Sequence, residues 1–282
     1  MLNVWDQRTF DSKIELHTPR VDLLHTLTAG PLGRTLYALG QEGRIWQFEL
    51  ESGAVRELSH DSISDATAIA LTPDSAELIV GGAEGQIGLL SLAGGPKGAL
   101  LKSSAKRPIS SLVVGRYQGG RVIAAATEDD SVVQVWMPGH DDPSIISSKS
   151  KVTSLGLANS ILAIGDIEGN VMLHDLSGSM PVRVIGGAKP DVSAIAFDGS
   201  IARIATGTID GKVRVFDFIT GEPQIEFQAT PRRILSMQFS PAGDTLMTAG
   251  EDHATRIWPI YRNVSDLVQS ATALLPKASD RK

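Results

Sequence analysis

An acid stands six residues ahead of an aromatic or apolar anchor, and this pair recurs six times along the chain: Glu42 and Phe48, Glu84 and Leu90, Asp130 and Trp136, Glu168 and His174, Asp210 and Phe216, Asp252 and Trp258. The distance between successive anchors wanders between 38 and 46 positions, while the acid-to-anchor offset stays fixed. A rigid hairpin with outer loops of variable length produces that behaviour. The stretch Ala205–Phe218 is the clearest copy. Asp210-Gly211 is a hairpin-turn dipeptide, and beyond it apolar Val213 and Val215 alternate with polar Lys212 and Arg214.

Each repeat reads as four short antiparallel strands in about forty residues. Such a unit cannot bury both of its faces alone, so it needs a neighbour on each side. The units fall near 21–58, 66–102, 109–148, 152–185, 192–227 and 234–260. The opening strand of the first is expected over 21–27, and the sixth lacks a fourth strand. Val4-Trp5-Asp6 copies the anchor motif and Lys13, Ile14 and Leu16 alternate, as the last two strands of a repeat whose first two are absent. The pattern breaks after residue 260. In the tail, 261–282, Val264, Leu267, Val268, Ala271, Leu274 and Leu275 fall at helical spacing, Asn263 can cap the start and Pro276 ends the run. An amphipathic helix is expected there, with Leu267, Val268, Ala271, Leu274 and Leu275 as a possible docking stripe.

Trp5-Asp6, Phe48-Glu49, His174-Asp175 and Phe216-Asp217 resemble the Trp-Asp-like dipeptide that closes each repeat of the WD-repeat β-propeller family; Leu90-Ser91, Trp136-Met137 and Trp258-Pro259 depart from it. The resemblance covers residues 1 to about 260. It implies an all-β propeller of six four-stranded blades, or seven if a partner completes or caps the ring, and a non-catalytic protein-interaction platform. It also implies closure of the ring by an N-terminal outer strand. Lys13–Thr18 would then serve as the fourth strand of the sixth unit, beside Thr255–Ile260, leaving Val4–Asp6 over. The family's hydrogen-bonded histidine has counterparts in His17 and His60, but no unit holds all four members of that network. The segment Thr255–Leu275 is in addition similar to the end of bacterial WD-repeat sensor regions joined to signalling ATPase or protease domains in defence systems.

Chemistry-bearing residues are few. The acids Glu42, Glu84, Asp130, Glu168, Asp210 and Asp252 are expected to bond backbone N–H groups in their own turns, the alternative being a cation site or paired carboxylates of a channel hydrolase. His140-Asp141-Asp142 and Asp252-His253 are metal-capable but contiguous, with no further histidine near. Gly81–Gly85 resembles a phosphate loop without the Lys-Ser/Thr that such a loop needs. Neither a cofactor nor a metal is expected. The residues just before the opening strands are Arg20, Asp65, Arg107, Lys151, Asp191 and Arg232. By the family's geometry their loops converge at one end of the channel, and a mostly basic rim there is a natural site for another protein.

The net charge of −6 argues against direct nucleic-acid or anionic-membrane binding, which wants a basic face. The chain has no cysteine, so disulfides and thiolate metal sites are excluded. No apolar run is long enough to span a membrane, and Met1–Phe10 carries Asp6 and Arg8 where a signal peptide has an apolar core. A cytoplasmic protein is expected.

Overall fold

A computed structural model describes the chain except for residues 1, 6–11, 19–22, 31–32, 59–62, 64, 94–99, 188–189, 201 and 262–282. The fold is all-β, a six-bladed β-propeller of antiparallel sheets. Helical structure among the described residues is confined to 3-10 turns, at Gln41–Gly43 and at Gly33.

An N-terminal sheet pairs β1 (Leu2–Trp5) with β2 (Ser12–Leu16). Blade 1 follows as β3 (Thr26–Ala29), β4 (Thr35–Leu39), β5 (Ile45–Glu49) and β6 (Val55–Leu58). Blade 2 is β7 (Ala66–Leu71), β8 (Glu77–Gly82), β9 (Ile87–Ser91) and β10 (Leu100–Leu101). Blade 3 is β11 (Ile109–Tyr117), β12 (Gly120–Thr127), β13 (Val132–Trp136) and β14 (Ser144–Ser147). Blade 4 is β15 (Val152–Ala158), β16 (Ile161–Asp166), β17 (Asn170–Asp175) and β18 (Arg183–Gly186). Blade 5 is β19 (Val192–Phe197), β20 (Arg203–Thr208), β21 (Lys212–Asp217) and β22 (Pro223–Gln228). Blade 6, the last sheet, has three strands, β23 (Ile234–Phe239), β24 (Thr245–Gly250) and β25 (Thr255–Pro259). The chain divides into two compact units, 1–167 with 172–183, and 168–171 with 184–282.

Two expectations need correction. Blade 1 opens at Thr26 rather than at residue 21, because the turn bond from Gly30 N–H to Thr35 O sets the register Thr26↔Leu39 to Ala29↔Leu36. Leu23, read as a strand residue, is 67% exposed. Nor does the N-terminal segment pair as expected: Val4 and Trp5 are not left over but lie in β1, and β2, expected as the fourth strand beside Thr255–Ile260, hydrogen-bonds with β1 in a two-stranded sheet of its own. Val4 pairs with Ile14 and Trp5 with Ser12, with a register shift between the two anchor-side pairs. Blade 5 repeats this spacing: Val215 pairs with Ile225 and Phe216 with Pro223, again with the shift at the anchor. The N-terminal sheet therefore has the form of a third and fourth blade strand. Leu16 of β2 is buried with Ala38, Trp46 and Phe48 of blade 1.

A second irregularity recurs. One residue into the first strand of blades 2 to 6 the register shifts, leaving Thr67, Ser110, Thr153, Ser193 and Leu235 as the extra residue. In four of these the extra residue is a hydroxyl side chain, and it donates to a carbonyl of its own second strand: Thr67 to Gly81, Ser110 to Ala126, Thr153 to Gly165 and Ser193 to Gly207. Two of them also reach the next blade. Thr67 Oγ1 lies 2.9 Å from the carbonyl of Ile109, and Ser193 Oγ lies 2.7 Å from that of Ile234.

Between such links the blades meet through small apolar faces. Ala194, Ala196, Ala205, Val213 and Val215 of blade 5 pack on Ile234, Met237, Phe239 and Leu246 of blade 6. The approach is close at Gly207, where an added Cβ would sit 2.8 Å from Ile234 Cγ2.

Candidate functional site

The turn acids and the residues before the opening strands, which the sequence presents as two separate sets, lie at the same end of each blade. The N–H just past the second strand bonds the carbonyl just before the first: Ala83 to Asp65 at 3.0 Å, Ile167 to Lys151 at 3.1 Å and Ile209 to Asp191 at 3.2 Å. In blade 3 the acceptor is Pro108, next to Arg107, and in blade 6 it is Arg233, next to Arg232. Backbone hydrogen bonds thus hold these loop residues, while their side chains are left to the surface.

Five of the six acids are engaged within their own turns. Asp130 accepts from the N–H of Ser131 at 2.7 Å and from Thr127 Oγ1 at 3.4 Å. Asp210 accepts from Thr208 Oγ1 and from the N–H of Lys212. Gly211 beside it has φ +83 and so close a neighbour in Thr230 O that no side chain fits. Asp252 pairs with Arg256 at 2.7 Å and accepts from the N–H of Ala254. The Arg256 hydrogen bond holds the Asp252 carboxyl below its usual range, against a smaller opposing effect of desolvation. Glu84 bonds Gln86 in the same turn, and Glu42 takes a salt bridge from Arg44 at 2.9 Å. Glu168 lies in the equivalent turn of blade 4.

The basic positions are held differently. Arg107 reaches the carbonyl of Asp129, and the ammonium of Lys151 forms a salt bridge with the Asp129 carboxylate. That hydrogen bond, then the charge of Lys151, keeps Asp129 below its ordinary pKa. Asp129, one position ahead of the regular acid and at φ 59, joins Arg107 and Lys151, two of the residues expected at a rim. The fixed offset points at Asp130 and passes over it. Arg232 is exposed; its N–H bonds Thr230 Oγ1. Asp65 is exposed at φ 49 and Asp191 is half-buried. Arg20, His60 and the tail residues Leu267, Val268, Ala271, Leu274 and Leu275 lie outside the described residues.

At the opposite end of the blades the acids after the anchors close the third-to-fourth strand turns. Asp217 accepts from the N–H groups of Ile219 and Thr220 at 2.9 and 2.8 Å. Burial pushes Asp175 upward, but bonds from Ser177, Ser160 and the N–H of Met180 outweigh it and hold its pKa low. The anchors themselves take individual partners. Trp136 Nε1 donates to Lys102 O and Trp258 Nε1 to Thr248 Oγ1, each at 3.0 Å. His174 is half-buried in the sheet and His17 is exposed. Asp142 of the acidic outer loop pairs with Lys102 at 3.1 Å. Among the described residues no three or more His, Asp or Glu side chains gather as a metal would need. A groove of about 370 Å³ runs beside the blade 2 turn, lined by Glu84, Gln86, Leu100, Leu101, Ser103 and Lys106 among others.

Residues 179–217 and 221–259 match the family model described as WD domain, G-beta repeat. Each match ends one residue past an anchor, at Asp217 and Pro259. The chain is 22% identical over 280 residues to the angio-associated migratory cell protein of Homo sapiens, covering 93% of this chain and 63% of that protein. It is 24% identical over 143 residues to WD repeat and HMG-box DNA-binding protein 1 of Homo sapiens, which covers 50% of this chain and 12% of that protein. The chain therefore spans less than two thirds of these relatives. A chain in the crystal structure of the mitotic checkpoint complex superposes with a TM-score of 0.77 over 91% of this chain and 83% of its own length, at 16% identity. That likeness concerns the fold.

Proposed function

We propose that this chain, a propeller carrying WD repeats, is a non-catalytic platform for another protein, and that the partner reads the turn ends of the blades. Propellers of this kind typically serve as protein-interaction scaffolds. One observation carries the reading. At the turn ends Asp130, Asp210 and Asp252 are engaged in holding their own hairpins, while Arg107, Lys151 and Arg232 stand exposed on loops whose backbone is pinned, the first two held in place by Asp129. Fixed backbone with surface charge gives recognition with little ordering cost. The same engagement speaks against the hydrolase alternative, since acid–base chemistry needs a carboxylate free to face a substrate. The narrower form of the proposal, a sensor or inhibitory subunit of a bacterial defence system, rests on Thr255–Leu275 alone. A cytoplasmic location belongs to the same proposal, and the cysteine-free sequence is compatible with it. No helix among the described residues is long and apolar enough to cross a membrane.

The test is co-purification from native extract with the wild type and with the Arg107→Glu, Lys151→Glu double variant. The partner recovered with the wild type should be lost from the variant, at an unchanged melting temperature, because exposed charges contribute little to folding. Equal recovery of the partner refutes the rim as its site.

A further inference from the structure

Blade 6 presents a face that its counterpart in blade 5 keeps buried. In blade 5 this face is Ala194, Ala196, Ala205, Val213 and Val215, none more than 8% exposed. By register the matching residues of blade 6 are Ser236, Gln238, Met247, Thr255 and Ile257: Met247 pairs with Gln238 on one side and Ile257 on the other. Met247 is 44% exposed, Ser236, Gln238 and Thr255 are exposed, and Ile257 and Ala249 are half-buried. Leu235 holds the place where Thr67 and Ser193 reach a neighbouring blade through a hydroxyl; it has none, and it is 57% exposed. The face is thus a narrow apolar strip, Leu235, Met247, Ala249 and Ile257, flanked by polar side chains. A blade-to-blade contact like that of blade 5 is apolar across its whole width, so this strip fits a slimmer occupant.

We infer that the occupant is the chain's own C-terminal segment, 262–282, laid along the strip by its apolar stripe. The segment leaves from the right place. β25 forms one edge of the strip, and the chain beyond it is fixed at Ile260, 2% exposed, whose N–H bonds Asp244 O at 2.7 Å. The described residues end one position later, at Tyr261. The length is also right. Twelve residues from Val264 to Leu275 span about 18 Å as a helix, close to the roughly 17–20 Å of a six-residue strand. The chemistry matches in kind: Val264, Leu267, Val268, Ala271, Leu274 and Leu275 fall at helical spacing in the sequence, and a helix of that length needs a surface to be stable. A second copy would instead require two flat, matching faces, and three of the six sheet positions here, Ser236, Gln238 and Thr255, are polar.

The chain has no cysteine, so a single one reports on the strip without interference. Met247→Cys is placed in the full chain and in the chain ending at Tyr261, and the rate of reaction with a small maleimide is measured. The full chain should react about tenfold more slowly or more, and truncation should restore the fast rate. Full-length Met247→Cys carrying Leu267→Asp and Leu274→Asp gives the same comparison without truncation and should also react fast. Far-ultraviolet circular dichroism identifies any variant that fails to fold, and Ile219→Cys, at a position 76% exposed, supplies the unprotected rate. Equal fast rates in the full chain and both variants overturn the proposal. Protection of the full chain that disappears on dilution also overturns it, in favour of a second copy.

Discussion

Replacing Arg203 tests how the blade 5 loop is held. Arg203 and Asp198 form a salt bridge at 3.1 Å with side chains only 5% and 1% exposed. Asp198 also accepts from Ser200 Oγ and the N–H of Ala202, and Arg203 donates to Gly243 O of the blade 6 turn. The guanidinium lies 5.5 Å from the centroid of the Phe239 ring. Arg203→Met keeps much of the side-chain volume but strands the buried carboxylate. Loss of one member of a buried pair costs about 3–5 kcal/mol, and the donors that Asp198 retains put this case near 3. The double variant Arg203→Met, Asp198→Leu should cost less than the single ones summed, because no uncompensated charge remains. Equilibrium urea unfolding gives these values through the midpoint at constant slope. The melting temperature of Arg203→Met should fall by about 5 °C, from roughly 2.1 cal/mol/K of unfolding entropy per residue. A loss below about 1 kcal/mol for Arg203→Met, or full additivity in the double variant, would refute the reasoning, since either outcome means the pair is solvated.

Ser193→Ala removes the hydroxyl that bonds both Gly207 O and Ile234 O; the loss of a buried partner is expected to cost about 1–3 kcal/mol, and a urea midpoint equal to wild type would show that water replaces it. Asp74 is lowered to about 2, chiefly by the Thr72 hydroxyl and then by the N–H of Ala76, with Arg116 contributing. Its stabilisation is present above the unfolded value near 3.8 and is lost as pH falls through about 2. The gap between wild type and Asp74→Ala, discounted to about 1 kcal/mol or less for exposure, should therefore close between pH 4 and 2 in urea titrations. A gap that stays constant over that interval would assign the effect to packing.

Much of the scaffold is written in spacing. The acid–anchor offset locates the second-to-third strand turn in every blade, because a tight turn fixes its neighbours' register. The hydroxyls at Thr67, Ser110, Thr153 and Ser193 were equally legible, one residue into each opening strand, but as short polar interruptions of apolar runs they look incidental until the bulge reveals what they reach. Asp129 escaped for a related reason: its pairing depends on a left-handed backbone angle and on Lys151, 22 positions later. Asp198 follows β19 and Arg203 opens β20, on either side of a stretch that composition marks only as a turn, and nothing in a local pattern tells that both will be enclosed. The start of blade 1 was misread because Leu23 and Leu24 supply apolar character without ladder hydrogen bonds.

The blade interfaces have a consequence in time. Every strand pair of blade 5 closes within residues 192–228, so that sheet can hydrogen-bond itself as soon as it emerges during synthesis. Its alanine and valine face acquires its cover only when 234–246 arrives. At about 5–20 residues per second that face stays wet for roughly 1–4 s. Small side chains suit such an interval: they offer a nascent chain less to aggregate with than leucine or phenylalanine would, yet pack closely once the next blade is made.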